Sequence, residues 1–223
     1  FNTTSGISII QYDGNSTSGA TLAHGLGAAP TMVWVKNLDS GDDWAVGHSA
    51  IGWTKYLKFN STGAVSTYTG IWNDTTPSST VVTIGNNAIV NTATTRGYIM
   101  YAFAEKKGYS KFGNYEGNVN ANGPFVYTGF RPAYLMIRQQ NTGGGESWFI
   151  SDDKRQGFNP MNDHFYADDA AIGNTTGSFV DLLSNGFKIR TTSSSWNSST
   201  NPTLYWAFAE FPLVSSNSKA GTA

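Results

Sequence analysis

Tyr98-Ile-Met-Tyr-Ala-Phe-Ala-Glu105 is written a second time in the chain, as Thr203-Leu-Tyr-Trp-Ala-Phe-Ala-Glu210. Each copy ends a run of aromatic and branched residues, Tyr98 to Phe103 and Leu204 to Phe208, of the kind that strands favour. Working outward from these two copies uncovers further echoes. Tyr12-Asp-Gly-Asn15 answers to Tyr115-Glu-Gly-Asn118, and Gly25 and Pro30 answer to Gly129 and Pro132. Met32-Val-Trp-Val-Lys36 answers to Tyr134-Leu-Met-Ile-Arg138, and Trp44 to Trp148. Ile84-Gly-Asn86 answers loosely to Leu183-Ser-Asn185. The echoes keep one order and their offset drifts by only a few residues. The sequence therefore reads as a tandem duplication with loop insertions. Residues 1–107 form the first copy and 108–223 the second, which ends in a short tail. The cores at 8–106 and 112–211 are joined by Lys107 to Phe112.

Many short strand candidates with Gly- and Pro-marked turns lie along each copy, and no 3.6-residue apolar period runs long enough for a substantial helix. In the first copy they are Ile7 to Tyr12, Thr21 to His24, Thr31 to Lys36, Trp44 to His48, Tyr56 to Phe59, Thr80 to Ile84 and Gly97 to Phe103. In the second they are Phe125 to Tyr127, Ala133 to Arg138, Trp148 to Ser151, Phe179 to Leu183, Phe187 to Arg190 and Leu204 to Phe208. The expected fold is all-β, a duplicated β-sandwich-like domain, with a closed barrel as the alternative. Residues 61–79 read as a long exposed excursion, and a short helix is expected over Phe165 to Ala171.

Composition narrows the function classes. Charged residues are only 13% of the chain and the formal net charge is −1, so no basic face for nucleic acid is expected. An aromatic content of 14% argues for a packed core rather than disorder. There is no cysteine, which removes disulfide and thiolate chemistry. No apolar stretch is long enough for a transmembrane helix, so no membrane insertion is expected. The start at Phe1 without Met suggests a processed chain or a fragment of a longer one. No nucleophile elbow, phosphate loop or dinucleotide fingerprint occurs.

The chemistry-bearing residues are few. His24, His48 and His164 sit in separate segments without ligand spacing and read as solvent or turn residues. Asp39, Asp42 and Asp43 crowd one turn, as do Asp152 with Asp153 and Asp168 with Asp169. They read as turn carboxylates, with a calcium bridged by Asp168 and Asp169 as the alternative. Glu105 and Glu210 close the duplicated strands. They are expected to meet a backbone N–H or a neighbour such as Arg96 or Arg190 rather than to act as a glycosidase pair. Trp53, Trp72 and Trp196 lie in Ser/Thr-rich surroundings. There they would serve either as sugar platforms or as buried and assembly plugs. If the protein binds a surface, the contact is expected in the loops that differ between copies: Trp53, Trp72, Asp163, Asp168, Asp169 and Trp196.

At the Tyr-x-Gly-Asn pair and at Ala102-Phe-Ala-Glu-Lys-Lys-Gly-Tyr-Ser-Lys-Phe-Gly113 the chain resembles a module of tailed-phage structural proteins, notably tail-fibre and other virion proteins of marine phages. The same resemblance runs through Gly25-Leu-Gly-Ala-Ala-Pro-Thr-Met-Val-Trp-Val-Lys-Asn37 and Gly123-Pro-Phe-Val-Tyr-Thr-Gly-Phe-Arg-Pro132 to Leu183-Ser-Asn-Gly-Phe-Lys-Ile-Arg190. It covers roughly residues 8–214. The chain departs from the pattern at Gly47, where an aromatic commonly precedes the His. The resemblance implies a virion appendage or surface location, other virion proteins as partners, and host attachment through weak multivalent glycan contacts. It carries no catalytic residues. A homo-oligomer is expected, a trimer if the chain is part of a fibre. A purely structural spacer or capsid-decoration protein stays open beside it, with a glycan-degrading enzyme more distant.

Overall fold

The computed structural model describes residues 1–92, 95–141, 143–170 and 176–211. The chain divides into two compact units, Phe1–Glu105 and Lys106–Ala223. In the first, β1 (Ile7–Asp13), β2 (Ala20–Ala23), β3 (Met32–Asn37), β4 (Ala45–His48), β5 (Lys55–Lys58) and β6 (Ser66–Thr67) precede a one-turn helix, α1 (Thr69–Trp72). Strands β7 (Val81–Ile84) and β8 (Gly97–Phe103) close the unit. They form a six-stranded sheet, β1-β8-β3-β4-β5-β6, and a two-stranded sheet, β2-β7.

The second unit contains β9 (Ser110–Tyr115), β10 (Phe125–Tyr127), β11 (Pro132–Gln139), β12 (Phe149–Asp152), β13 (Phe165–Tyr166), β14 (Val180–Leu183) and β15 (Gly186–Ile189). After these come the short helix α2 (Ser194–Asn197) and β16 (Thr203–Ala209). Its sheets run β13-β12-β11-β16-β9 and β10-β15-β14. The fold is all-β, and the strand order of the larger sheet is the same in both units once β1, β8, β3, β4 and β5 are matched to β9, β16, β11, β12 and β13.

Register agrees as closely as order. Tyr12 faces Tyr98 in the first unit, as Tyr115 faces Thr203 in the second. Met32 lies between Phe103 and His48, and Tyr134 between Phe208 and Asp152. In the smaller sheets Leu22 faces Val82 and Val126 faces Phe187. A slip of one residue would send each side chain to the opposite face, so shared register means that matched positions point the same way. These similarly ordered sheet pairs are what a duplicated β-rich domain gives. The pairing also corrects one echo: β7 corresponds to β15, so Ile84 answers to Ile189 rather than to Leu183, which belongs to β14.

Each core draws on both of its sheets. In the first unit Val33, Val35, Met100 and Ala102 cluster with Val82 and Ile84 from the β2-β7 pair. In the second, Leu135, Ile137 and Ala207 cluster with Val126, Phe187 and Ile189. The other face of the six-stranded sheet carries stacked rings, with Trp34 on Phe59 and Trp44 on Tyr101.

Three expectations are corrected. The stretch 110–112, expected as part of a linker, opens β9, whose alternation of buried Ser110 and Phe112 with half-exposed Lys111 makes it a sheet strand. The stretch 61–79 is not an exposed excursion: its helix α1 buries Gly70, Ile71 and Trp72. Phe165–Tyr166 pairs with Phe149 and Ile150 as a strand instead of starting a helix; Ala171 lies outside the described residues.

Candidate functional site

The duplicated polar residues have structural work in both units. The Tyr12 hydroxyl donates to the Val90 carbonyl at 2.5 Å, and the Tyr115 hydroxyl donates to the Trp196 carbonyl at 2.6 Å. The Asn15 N–H donates to the Asn91 Oδ1 at 2.7 Å, and the Asn118 N–H to the Asn197 Oδ1 at 2.7 Å. The Asn91 amide then donates to Thr17 O and Gly85 O, while the Asn197 amide donates to Asn120 O and Thr191 O. Asn91 and Asn197 are buried. Each satisfies backbone groups that a loop passing under a sheet would otherwise strand. The amides of Asn37 and Gln139 add a parallel tie, to Ala88 O and Ser194 O. The echo Tyr-x-Gly-Asn is thus half of a clamp whose other half, Val90-Asn91 and Trp196-Asn197, escapes a reading of the sequence. The one shared letter, Asn, sits in Ser/Thr/Asn-rich company.

The expected binding rings are not at the surface. Trp53, Trp72 and Trp196 are 6%, 1% and 1% exposed. Trp53 meets Trp72 edge-on at 5.6 Å, above Gly47. A Cβ on Gly47 would stand 2.5 Å from the Trp53 ring and 2.8 Å from that of Trp72, which is why glycine occupies the position where an aromatic was expected. Trp196 packs on Phe149, Phe179 and His164. All three rings belong to cores, so of the two roles the sequence allows them the buried one holds and the platform does not.

Of the acidic candidates, Asp168 accepts the Trp148 N–H at 2.8 Å and lies near enough to Arg138 to oppose the effect of burial on it. Arg138 takes the place of Lys36, whose ammonium donates to the carbonyls of Asn37, Ser40 and Asp42. It is fully buried, its guanidinium 5.7 Å from the Trp148 ring, and burial holds its pKa down to about 10. Asp163 is half-buried beside His164, and Asp169 is exposed. Among the described residues no three His, Asp or Glu side chains converge as metal ligands would. The other turn carboxylates tie their loop to neighbouring strands: Asp39 accepts the N–H of Gly97 at the start of β8 at 2.6 Å, and Asp43 pairs with Lys58 at the end of β5 at 2.7 Å.

The histidines, expected at turns or in solvent, are all buried. His24 accepts the Leu26 N–H through Nδ1 and donates to Ser78 O through Nε2, a neutral tautomer set by its two partners. His48 accepts the Ala50 N–H, and burial pushes its pKa down to about 3. His164 lies among the rings of Phe149, Tyr166, Phe179 and Trp196, and burial lowers its pKa to about 4. Glu210 meets a basic neighbour, as expected of a strand-end carboxylate, in Arg131, while Arg190 meets Asp181 at 3.5 Å. Arg96 lies 3.9 Å from Asp42.

An aromatic pair on a segment whose letters signal only a strand does face outward. Phe125 and Tyr127 on β10 are 45% and 61% exposed. Across the strand Phe125 sits opposite Lys188 and Tyr127 opposite Gly186, and Lys188 in turn sits opposite Asp181. The Phe125 ring lies over Gly186, its Cζ 2.9 Å from where a Cβ would stand. The corresponding positions on β2 are Thr21 and Ala23, both exposed. Elsewhere a shallow hollow is lined by Phe1, Asn2, Ser5, Ile7 and Ile9, a set without carboxylate, imidazole or lysine. Among the described residues no helix is long and apolar enough to cross a membrane.

The chain belongs to the family described as a domain of unknown function (DUF7483), whose model matches residues 1–212. That span includes both units, so the pair, rather than either copy, is what the family shares. No curated protein and no solved structure matches the chain.

Proposed function

We propose that this chain is a non-enzymatic structural module of a virion, a tail-fibre or surface component that contributes to host attachment through weak, multivalent contacts. One observation carries the reading: the polar residues repeated in both copies bond inward to their own backbone. Tyr12 and Tyr115, Asn91 and Asn197, Asn37 and Gln139 hold loops under sheets. A doubled frame of that kind presents surface, whereas a catalytic cleft needs polar groups aimed at a substrate. The similarity of wording to tailed-phage structural proteins supports the virion location. The finer fold reading is a β-sandwich in each unit, supported by cores that combine side chains from both sheets of a pair.

An inert spacer or decoration module is the second reading. It is favoured by the burial of Trp53, Trp72 and Trp196, which takes the copy-specific tryptophans out of any contact. Two measurements separate them. Peptide mass spectrometry of gradient-purified particles made by the encoding genome is expected to detect the chain, and immunogold labelling to place it on the particle exterior. Recovery only outside particles overturns the virion reading. Particle-bound protein that shows no affinity for host cells, when purified as the intact oligomer, leaves the spacer.

A further inference from the structure

We infer that the outward face of β10 and β15, built around Phe125 and Tyr127, is a glycan-binding platform that takes the C–H face of a neutral pyranose chain. The inference rests on the attachment reading above and gives it a location and a ligand class.

The duplication supplies the first argument, because the first unit forms the same strand pair in the same register without rings. Thr21 and Ala23 stand where the second unit has Phe125 and Tyr127, and Thr83 stands where it has Lys188. The pairing therefore does not require the aromatics. Two large rings left in water on an edge strand carry a solubility and aggregation cost, so their presence calls for a use.

Geometry supplies the second. Residues two apart on a strand project from one face about 7 Å from each other, a spacing that lets neighbouring sugar units meet neighbouring rings. A Cβ at Gly186 would meet Val126 O at 2.1 Å and the tip of the Phe125 ring at 2.9 Å, so the ring reaches across to β15 over a glycine and stays 45% exposed. Tyr127 offers an apolar body and a wet hydroxyl, the combination suited to a ligand that is apolar on one face and hydroxylated at its rim.

The border supplies the third. Lys188 lies beside Phe125 with its ammonium on Gly123 O at 2.8 Å, and Asp181 lies next across the sheet, 3.5 Å from Arg190. Donors and an acceptor thus line the rings, with the ammonium held on a backbone carbonyl and the carboxylate met by Arg190, so sugar hydroxyls find partners of both kinds. A second copy of this chain is the competing occupant, and area argues against it. Each ring amounts to ~150–250 Å², and both are only about half exposed, so the pair falls far short of the ~800 Å² per partner of a standard interface.

The test uses the intact protein and its Phe125→Thr/Tyr127→Ala variant, which restores the side chains of the first unit. Tyr127→Ala alone is the second variant, since Phe125 also shields Gly186. Saturation-transfer NMR is run with cellohexaose, laminarihexaose and N-acetylchitohexaose, alongside sedimentation velocity. Transfer from aromatic protons to C–H protons of at least one hexasaccharide is expected. Its affinity should fall at least tenfold in both variants while their unfolding midpoints stay near that of the parent. No transfer to any of the three, or transfer unchanged in the variants, overturns the platform. So does a parent dimer that the double variant dissociates, because the rings would then be an interface between copies. Any of these failures leaves particle association as an independent result, so loss of the platform is distinguishable from loss of the virion reading.

Discussion

At the scale of single residues, the most informative side chains are buried amides and imidazoles that look unremarkable in the sequence. Asn197 accepts one backbone N–H and donates to two carbonyls, all between 2.7 and 2.8 Å. Asn197→Ala strands those groups and is expected to destabilise the protein by about 2 to 3 kcal/mol in urea denaturation. Asn197→Asp should be at least as damaging, because an oxygen replaces the donor and faces two carbonyls. A variant as stable as the parent would show that the clamp holds nothing. His164 makes a different prediction. Burial keeps its folded pKa near 4 and that of His48 near 3, against an ordinary value of 6.5. The unfolded chain therefore takes up protons that the folded chain refuses. Stability is full above pH 6.5 and declines as pH falls from there toward 4. The groups packed round His164 are Phe149, Tyr166, Phe179 and Trp196, with Asp163 the nearby charge. His164→Phe suits that ring cluster and should make the decline shallower without loss at neutral pH. An unchanged pH profile would contradict this account of His164.

At the scale of elements, glycines decide where the short helix α1 can sit. Gly85 donates its N–H to Ile71 O at 2.8 Å, and a Cβ there would stand 2.2 Å from Gly70 O. Gly47 leaves room for Trp53 and Trp72. Gly47→Ala must displace two rings and is expected to cost about 1 to 3 kcal/mol, while Trp72→Ala opens a cavity costing ~3–5 kcal/mol. Both effects should appear as lower denaturation midpoints, with any binding by the folded fraction unchanged. Loss of binding at full stability would return Trp72 to the surface. These elements also mark how far the sequence was legible. Long runs such as Met32 to Asn37 and Gly97 to Phe103 declare themselves because apolar residues cover most of their length. Strand β9 hides because Ser110 and Gly113 break its apolar pattern, so residues 110–112 read as linker. Trp72 and Trp196 read either as platforms or as buried plugs for a related reason. Ser/Thr-rich flanks suggest exposure, but burial was decided by distant glycines and a clamp that no local window contains.

At the scale of the whole molecule, the duplication was readable and the candidate site was not. The echo of Ala-Phe-Ala-Glu and Tyr-x-Gly-Asn reflects strands and clamps that both units need, so it survived in the letters. Phe125 and Tyr127 are visible only by contrast with Thr21 and Ala23, a comparison that requires the register of β2-β7 against β10-β15. Function on this account follows from that division: shared residues keep two cores, and copy-specific outward residues make contacts. The division fails if the shared clamps are not part of both frames. Hydrogen-exchange NMR on the intact chain tests this most directly, following the backbone amides of Asn15 and Asn118 and the side-chain amides of Asn91 and Asn197. All four are expected to exchange slowly, with protection approaching that of the central strands β8 and β16. Exchange at solvent-like rates in either unit, while its central strands stay protected, would contradict the claim that one duplicated frame organises both.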